Sequence, residues 1–352
     1  MSTSDYKRET PQNILVVRLS AIGDTCHALA VVRNLMDNWP DAHITWVIGK
    51  TEATLLSDVE GVEFIIFDKQ KGLGAIRDVR RALHGRRFDA ALCMHASARV
   101  NLLYPFVRSD LKIGFDRNRA RDFQWLFTHR QVEATDGKHA LEAMLSFASA
   151  IGAEDRPLRW DIPVADADNA FAAQFREPGK PLVIISPCSS QRSRNFRNWS
   201  IDNFIAIVDY LAEQHDARVL ISGGNSAIED EYAQAICNAC SNATDLHGKT
   251  SLKQLLALLR EADVLICPDS GPAHMATAVG TAVVGLYATS NPARTGPYLS
   301  QQHTVNCYPQ AARRLLHKSV DELRWGQRIR APEAMELIKF SDVAEKVNEI
   351  LQ

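Results

Sequence analysis

The sequence predicts an α/β protein with two domains, each containing a parallel β-sheet. Its 352 residues are about twice the length of a typical single domain. Short β-branched runs alternate with helical patterns along the chain, a rhythm that is typical of βαβ units. The rhythm stops once, between residues 156 and 180, and then begins again. Two halves with the same rhythm indicate two Rossmann-like domains.

The first half shows this alternation clearly. A buried strand is predicted at residues 14–19 and an amphipathic helix at residues 25–39. Strand-like segments then follow at HITWVI from His43, EFIIF from Glu63 and DAALCM from Asp89. The sequence GAIRDVRRALHG, which lies between the last two, has a helical pattern. We assign residues 1–165 to the N-terminal domain.

The interruption contains three prolines, at positions 157, 163 and 178, and a fourth, Pro181, follows it directly. It also contains the segment DADNAFAAQF, which is a short helix at most. We therefore predict a linker at residues 166–180 and a C-terminal domain at residues 181–330. The strands of the C-terminal domain are predicted at PLVIIS, ARVLIS, DVLICP and TAVVGLY, and a final helix at residues 331–352 is expected to pack back on the N-terminal domain.

Composition excludes several function classes. A net charge of -2 gives no global attraction for nucleic acid. No run of about 18 apolar residues exists that would form a transmembrane helix. The N-terminus lacks the apolar region of a signal peptide, and the odd number of scattered cysteines is typical of reduced thiols. These features predict a cytoplasmic protein.

The first candidate motif, RLSAIGD, runs from the first strand into the first helix. Gly23 permits a tight turn, and Asp24 falls at the helix N-terminus. An aspartate there is either an N-cap or a catalytic base, and both interpretations remain open. The turn lacks the G-x-G-x-x-G pattern of dinucleotide-binding proteins, which argues against a nucleotide-dependent oxidoreductase.

The second motif, PDSGPAHM, follows the predicted strand DVLIC. Asp269 suits an N-cap position, and Gly271 leaves its backbone N–H open to a ligand. Ser270 and His274 are four residues apart and are expected on one helix face. A helix N-terminus with these groups is suited to bind a diphosphate. The alternative is a capped helix with a core histidine.

The third motif is a polar loop at residues 186–199 that follows the first strand of the C-terminal domain. It carries the hydroxyls of Ser189 and Ser190 and three arginines, Arg192, Arg194 and Arg197. Arginine is well shaped to bind phosphate oxygens, so the loop is a candidate phosphate clamp. The alternative is a solvated surface loop.

The fourth motif is a glycine turn between a strand and a helix, ISGGNSAIE. Gly223 and Gly224 allow a base or a ribose to approach the backbone closely. Glu229 lies early in the following helix, where it could accept hydrogen bonds from ribose hydroxyls or could only complement the helix dipole.

Together these motifs resemble glycosyltransferase family 9, the lipopolysaccharide heptosyltransferases, over residues 13–350. The resemblance is strongest in two motifs, the S-x-x-G-D of Ser20–Asp24 and the D-S-G-P-A-H-M-A of Asp269–Ala276. The resemblance implies the GT-B architecture, in which two Rossmann-like domains face each other across a cleft. It also implies an inverting transfer, in which an acceptor hydroxyl displaces a nucleoside diphosphate from the anomeric carbon of a sugar.

The resemblance also implies roles for individual residues. Asp24 corresponds to the catalytic base. The expected donor-binding positions are Ser189, Ser190, Arg197, Asp269, Ser270, Gly271 and His274, with Glu229, Gly223 and Gly224 near the ribose and base. The family often has lysine two residues before the loop tryptophan, in a shorter loop, whereas this chain has Arg197 before Trp199.

By the same resemblance, the donor is ADP-heptose and the acceptor is the Kdo-bearing inner core of lipid A, at the cytoplasmic face of the inner membrane. No cofactor or metal is expected, since the D-x-D at Asp166–Asp168 lies in the interdomain stretch. Three alternatives remain: transfer of another nucleotide sugar or to another acceptor, a non-catalytic sugar-nucleotide binder on the same fold, and a nucleotide-dependent oxidoreductase, which the missing G-x-G-x-x-G argues against.

Positive charge collects in two segments of the N-terminal half, residues 69–87 and 108–130. The first has seven basic residues against one acid, and the second has six against three. Arg80, Arg117 and Arg121 are therefore candidates for binding an anionic acceptor. The alternative is that both segments are solvated surface, as charge runs usually are.

Overall fold

The computed structural model describes residues 10–134, 137–189 and 196–352. The chain forms two compact units, with the division between Pro163 and Val164. The short segment Gly137–His139 belongs to the C-terminal unit although the residues around it in sequence belong to the N-terminal one.

The N-terminal unit contains a six-stranded parallel sheet with helices between the strands. The strands are β1 (Asn13–Val17), β2 (His43–Gly49), β3 (Val62–Phe67), β4 (Phe88–Leu92), β5 (Ser109–Gly114) and β6 (Arg130–Gln131). The helices are α1 (Ile22–Asn38), α2 (Lys50–Leu56), α3 (Leu73–Ala82), α4 (Ala98–Asn101) and α5 (Ala140–Ser149). Single 3-10 turns occur at Lys69–Lys71, Tyr104–Phe106 and Gln124–Leu126.

The C-terminal unit repeats this plan. Its strands are β7 (Leu182–Ile185), β8 (Arg218–Ile221), β9 (Ala243–Asp245), β10 (Val264–Pro268), β11 (Ala282–Tyr287) and β12 (Val305–Asn306). Its helices are α6 (Asp166–Ala173), α7 (Ile201–His215), α8 (Ala227–Ala239), α9 (Leu252–Glu261), α10 (Gly271–Val279), α11 (Pro292–Thr295), α12 (Tyr308–Leu316) and α13 (Phe340–Leu351). Further 3-10 turns lie at Gln301–His303, Val320–Glu322 and Pro332–Leu337.

Both sheets have the same topology. The strand order is β3-β2-β1-β4-β5-β6 in the N-terminal unit and β12-β11-β10-β7-β8-β9 in the C-terminal unit. Each is the doubly wound order, and the direction of winding reverses between β1 and β4 and between β7 and β10. The predicted α/β class with two Rossmann-like parallel sheets is confirmed. Ligands of such sheets bind beyond the carboxyl ends of the strands at the point of reversal.

The segment expected as a linker, residues 166–180, includes a helix of the C-terminal unit. Helix α6 packs against α9, and Arg176 forms an ion pair with Asp263. The segment is therefore tied to the C-terminal unit rather than acting as a free connection. The short helix that the sequence allowed in this stretch is present as α6, and the stretch belongs to the C-terminal unit, which, apart from Gly137–His139, begins at Val164.

The C-terminal segment also differs from the prediction. It is a 3-10 turn followed by α13, not one helix, and Trp199 Nε1 donates a hydrogen bond of 3.0 Å to Ile338 O between them. Val343, Ala344 and Val347 are buried in the apolar core of the C-terminal unit. The expectation that this segment packs back on the N-terminal domain was wrong, because its apolar face is used within its own unit. None of the helices in the described ranges is long and apolar enough to cross a membrane.

Candidate active site

Asp24 lies just beyond the carboxyl end of β1, in the first turn of α1. It is the third residue of the helix, and the N-cap is Ala21, so the interpretation of Asp24 as an N-cap was wrong. Its Oδ2 accepts a hydrogen bond of 3.3 Å from Ala21 N–H. The side chain is 40% exposed. A carboxylate that is held by the helix start and still reaches solvent is available to a substrate.

Arg18 contacts the same oxygen of Asp24. Its Nη2 forms an ion pair with Asp24 Oδ2, and its Nη1 donates a hydrogen bond of 2.6 Å to Met94 O. Met94 follows β4, the neighbour of β1 at the point of reversal. The guanidinium therefore links the two central strands and fixes the orientation of the carboxylate. Arg18 was not predicted as a site residue from the sequence.

His95 and Glu52 lie at the same edge of the sheet, after β4 and β2. Leu19 N–H donates to His95 Nδ1 at 3.4 Å, so the neutral imidazole carries its proton on Nε2. Burial and the nearby charge of Arg18 lower the pKa of His95 to about 4. Burial also raises the pKa of the Glu52 carboxyl. Neither residue was identified from the sequence, although each follows a predicted strand within a few positions.

The donor loop, residues 268–274, follows the central strand β10 of the C-terminal unit. Ser270 rather than Asp269 is the N-cap of α10, and Gly271 is the first helical residue. The first N–H groups of a helix have no intrahelical acceptor. The Ser270 hydroxyl is buried and has no hydrogen-bond partner within the described ranges. His274 is buried in the next turn. The structure thus brings these predicted residues together at one helix N-terminus.

Arg197 is buried and faces the donor loop. Its Nη1 donates to Asp269 O at 2.7 Å and contacts Asp269 Oδ2 at 3.1 Å. Both side chains are about nine-tenths buried, and Arg328 Nη2 lies 4.0 Å from the same carboxylate oxygen. Arg197 therefore ties the polar loop after β7 to the donor loop after β10.

Ser189 is buried at the carboxyl end of β7, next to the donor loop. Its backbone N–H donates to Asn198 Oδ1 at 2.9 Å, and its hydroxyl lies 3.4 Å from the same oxygen. Ser190, Arg192 and Arg194 lie outside the described residues. Of the residues predicted to form the phosphate clamp, the structure therefore describes only Ser189 and Arg197.

Glu229 organises the glycine turn after β8. Its Oε1 accepts from Gly224 N–H at 2.7 Å, and its Oε2 accepts from Ser226 N–H at 3.2 Å and from the Ser226 hydroxyl. A Cβ on Gly224 would lie 3.1 Å from this carboxylate. The predicted group of Gly223, Gly224 and Glu229 is thus assembled around one carboxylate, which also caps α8. An ionised carboxylate with two oxygens can accept further hydrogen bonds.

Two further hydroxyls line the carboxyl edge of this sheet. Ser222 follows β8 and Ser290 follows β11, and both hydroxyl oxygens are buried with no hydrogen-bond partner in the described part of the chain. A buried hydroxyl without a partner costs about 1–3 kcal/mol, which is why such groups are rare outside functional sites. Neither serine was predicted as a site residue from the sequence.

The basic residues of the N-terminal unit divide into two groups. Lys71, Arg81, Arg86 and Arg87 form ion pairs with carboxylates on the same surface. Arg77, Arg80, Arg117 and Arg121 are exposed, and no carboxylate pairs with them within the described ranges. Arg80 lies over the Phe106 ring at 4.5 Å, and Arg117 lies over the Trp125 ring at 4.4 Å. The three predicted acceptor-binding arginines all belong to the second group.

The loop that carries Arg117 and Arg121 is anchored at several points. Asn101 Nδ2 donates to Arg121 O at 3.1 Å and to Asp122 O at 2.7 Å. Gln124 Nε2 donates to Cys93 O at 2.7 Å. The two arginines are therefore presented from a loop of defined conformation at the carboxyl edge of the sheet.

Comparison with known proteins agrees with this arrangement. A family model described as glycosyltransferase family 9 (heptosyltransferase) matches residues 76–322. The lipopolysaccharide core heptosyltransferase OpsX of Haemophilus influenzae is 35% identical over 343 residues, which cover 97% of this chain and 98% of that protein.

Solved structures share the fold. A glycosyl transferase family 9 protein from Veillonella parvula superposes with a TM-score of 0.78 at 19% identity, covering 97% of each chain. The E. coli heptosyltransferase WaaC with ADP gives a TM-score of 0.73 at 17% identity, covering 96% of this chain and 99% of that one. On the family match and the full-length similarity, this chain belongs to glycosyltransferase family 9, the heptosyltransferase family.

Proposed function

We propose that the protein transfers a heptosyl group from ADP-heptose to the inner core of lipopolysaccharide. The observation that carries the proposal is Asp24, a solvent-reaching carboxylate that Arg18 and a backbone N–H hold beyond the central strand β1. The full-length relative whose name specifies lipopolysaccharide core heptosyltransferase supports the choice of donor and acceptor class.

The reaction is a single displacement at the anomeric carbon. The acceptor oxygen forms a bond to that carbon while the bond from carbon to the diphosphate oxygen breaks, so the configuration inverts. Asp24 takes the proton that the acceptor hydroxyl loses, and the nucleoside diphosphate leaves with the bonding electron pair. An ordinary carboxylate is a weak base toward an alcohol. It suffices when the sugar carbon is already oxocarbenium-like and proton transfer is late, as at other glycosyl centres.

Stabilisation of the leaving diphosphate is then the larger contribution. The N–H of Gly271 and the hydroxyl of Ser270 lie at the N-terminus of α10, where the helix dipole favours an anion. His274 is placed one turn further along the helix, and we assign it to the same phosphates. We also assign Arg197 to the phosphates, and through its hydrogen bond to Asp269 O it positions the donor loop. Such pre-oriented donors are commonly the main source of catalysis when charge develops on a leaving group.

The nucleoside is assigned to the loops after β8. Glu229 accepts from Gly224 N–H and Ser226, and its remaining acceptor capacity suits ribose hydroxyls. Gly223 and Gly224 leave space for close approach of the ribose or the base. Along the sheet, β8 and β10 lie on either side of β7. The spacing of neighbouring strands, about 4.8 Å, is compatible with a ribose near β8 and a diphosphate near β10.

Metal-independent catalysis is part of the proposal. The sites assigned to the diphosphate supply helix N–H groups, hydroxyls, an imidazole and an arginine, which are groups that bind phosphate directly. A D-x-D tripeptide could supply carboxylates for a metal ion, but Asp166–Asp168 lies in the first turn of α6 and not in a loop assigned to the donor. Full activity in excess EDTA is the expected result. Loss of activity in EDTA that Mg²⁺ or Mn²⁺ restores would contradict this part.

We assign the acceptor to the N-terminal unit, and its anionic groups to Arg80, Arg117 and Arg121. The lipid A–Kdo acceptor carries phosphates and carboxylates, which match exposed arginines without carboxylate partners. Because such an acceptor is held in a membrane, the proposal also places the enzyme at the cytoplasmic face of the inner membrane as a peripheral protein.

The experiment that tests the proposal is nucleotide release from a panel of nucleotide sugars, with and without a lipopolysaccharide inner-core acceptor. Release of ADP from ADP-heptose that depends on the acceptor is the expected result. Faster turnover of another nucleotide sugar would show that the donor is not ADP-heptose, although the protein would still be a glycosyltransferase. Tight donor binding without turnover would identify a non-catalytic sugar-nucleotide binder. Binding of NAD(P)H would support the alternative of a nucleotide-dependent oxidoreductase.

A further inference from the structure

An apolar groove lies on the surface of the N-terminal unit between α3 and the 3-10 turn at Tyr104–Phe106. Its volume is about 380 Å³, and apolar side chains form most of its lining. Leu73 is 77% exposed, Leu102 is 49% exposed and Phe106 is 39% exposed. Large apolar side chains so exposed and so close together are uncommon on a surface that contacts only water. The described residues therefore present an apolar surface that requires a partner.

The charge around the groove indicates which partner. Arg77 and Arg80 line it and lie three residues apart on the exposed face of α3. Neither has a carboxylate partner within the described ranges, whereas Lys71 and Arg81 both pair with Asp78. The guanidinium of Arg80 also lies over the Phe106 ring, 4.5 Å from its centroid, so a positive charge borders the apolar lining. The groove thus combines apolar depth with an unneutralised cationic rim.

This combination is complementary to the surface of an anionic bilayer. Helices that lie in a membrane interface carry Lys or Arg beside exposed Leu and Phe, and they bind by burying the apolar side chains while the cations face lipid phosphates. We propose that the docking groove, defined by Leu73, Ile76, Arg77, Arg80, Leu102, Pro105 and Phe106, binds the surface of an anionic phospholipid membrane. The choice of a membrane rests on the proposed function, in which the acceptor is a membrane lipid.

Membrane docking and acceptor recognition use different residues, apart from Arg80, which lines the groove and is also assigned to the acceptor. Leu73 and Arg77 contact lipid in this arrangement and have no assigned role toward the sugar acceptor. Arg117 and Arg121 lie on another loop, after β5, and are assigned to the acceptor. Variants at Leu73 and Arg77 should therefore weaken binding to a bilayer without changing transfer to an acceptor that carries no acyl chains.

The test is co-sedimentation of the full chain with vesicles, either of phosphatidylcholine alone or of phosphatidylcholine mixed with phosphatidylglycerol. The wild type should bind the anionic vesicles, and less at high salt, but not the neutral ones. Arg77→Glu should weaken binding at least tenfold, because each basic residue near an anionic surface contributes about fivefold and reversal also adds repulsion. Leu73→Ser should weaken binding about fivefold or more through lost apolar burial.

Matched controls come from the other unit. Leu299 is 50% exposed and Arg313 is exposed on α12, so Leu299→Ser and Arg313→Glu make the same chemical changes outside the groove. Both controls should bind the anionic vesicles like the wild type. Wild-type protein that ignores anionic vesicles, or groove variants that bind no worse than the controls, would overturn the proposal. Because Leu73 and Arg77 are exposed, unchanged thermal unfolding should accompany these variants.

A parallel assay distinguishes docking from the proposed function. Leu73→Ser and Arg77→Glu should transfer sugar to a deacylated inner-core acceptor at the wild-type rate. A loss of transfer with that acceptor would place these residues in the acceptor site and overturn the docking role. Vesicle binding by a protein that transfers no heptose would leave docking intact and reject the proposed function instead.

Discussion

Arg18 and Asp24 form an ion pair through Nη2 and Oδ2 at the turn between β1 and α1. Arg18 is itself fixed to Met94 O, so the position of the carboxylate depends on two strands of the sheet and not only on its own helix. The ion pair therefore holds the Asp24 carboxylate in one orientation.

Replacement of Asp24 by asparagine tests its role as the base. Asparagine keeps the size of the side chain and can still accept from Ala21 N–H, but it cannot take a full proton. We expect the Asp24→Asn variant to lose about 100-fold or more in kcat while its Kd for ADP stays close to the wild-type value. Asp41→Asn, a change at an exposed acid of the same unit, should leave both constants unchanged. A rate above about a tenth of wild type would exclude general-base catalysis by Asp24.

The sequence located the site better than it located the contacts within the site. The strongly apolar strands β1, β4, β7 and β10 were predicted, and each motif was placed at a strand end. Strands β5, β6, β9 and β12 were missed, because β5 is polar in part and the others have only two or three residues. Such short edge strands depend on their neighbours in the sheet rather than on their own pattern.

Arg18 and His95 illustrate what local pattern cannot supply. His95 is 76 positions from Leu19, whose N–H it accepts, and Arg18 is equally far from Met94. Both contacts arise because β1 pairs directly with β4 across two crossovers. The available signal was an arginine near the end of one predicted strand and a histidine directly after another. Their convergence required the strand order, which the spacing of the motifs does not determine.

Removal of Arg197 should destabilise the C-terminal unit. Arg197 and Asp269 are both buried, so the Arg197→Ala variant leaves a buried carboxylate without its closest cation. We expect the free energy of unfolding to fall by about 3 kcal/mol, because breaking a buried pair from one side costs more than removing both charges. Denaturant unfolding of Arg197→Ala, Asp269→Asn and the double variant measures the coupling. A double variant that is as unstable as the sum of the single changes would show that the pair is not coupled.

His274→Ala should separate phosphate binding from nucleoside binding. The imidazole is assigned to the diphosphate, and a hydrogen bond to a charged group contributes about 1.5–3 kcal/mol, which is roughly tenfold to a hundredfold in Kd. Calorimetry should show that loss for ADP, whereas adenosine should bind the variant and the wild type equally. Equal losses for ADP and adenosine would remove His274 from the phosphate site.

His95 should contribute to the loss of stability in acid. Its pKa is about 4 in the folded protein against an ordinary value of 6.5. As the pH falls through that interval, the unfolded chain binds a proton that the folded protein does not, so unfolding becomes more favourable. The drop in Tm between about pH 7 and about pH 5 should therefore be smaller for His95→Asn than for wild type. His43→Asn, at an exposed histidine of the same unit, should show the full wild-type drop.

The acceptor assignment predicts a selective dependence on salt. Exposed charges attract an anionic ligand over about 30 Å at 0.01 M ionic strength but over only about 8 Å at 0.15 M. Raising the salt concentration should therefore increase the KM for the lipopolysaccharide acceptor. The KM for the donor should change little, because its phosphates are assigned to the buried groups at the N-terminus of α10. Initial rates with each substrate varied in turn measure the two constants.

Charge reversal identifies which arginines cause that dependence. Arg80→Glu, Arg117→Glu and Arg121→Glu should each raise the acceptor KM and flatten its response to salt, since each removes one attractive charge and adds a repulsive one. Arg117 and Arg121 are held on an anchored loop, so their replacement at an exposed position should not change the thermal unfolding. Arg313→Glu alters the net charge equally but lies on α12 of the other unit. If Arg313→Glu raised the acceptor KM as much as the others, the effect would come from the net charge of the protein and not from an acceptor site. If none of the reversals changed it, the three arginines would be solvated surface.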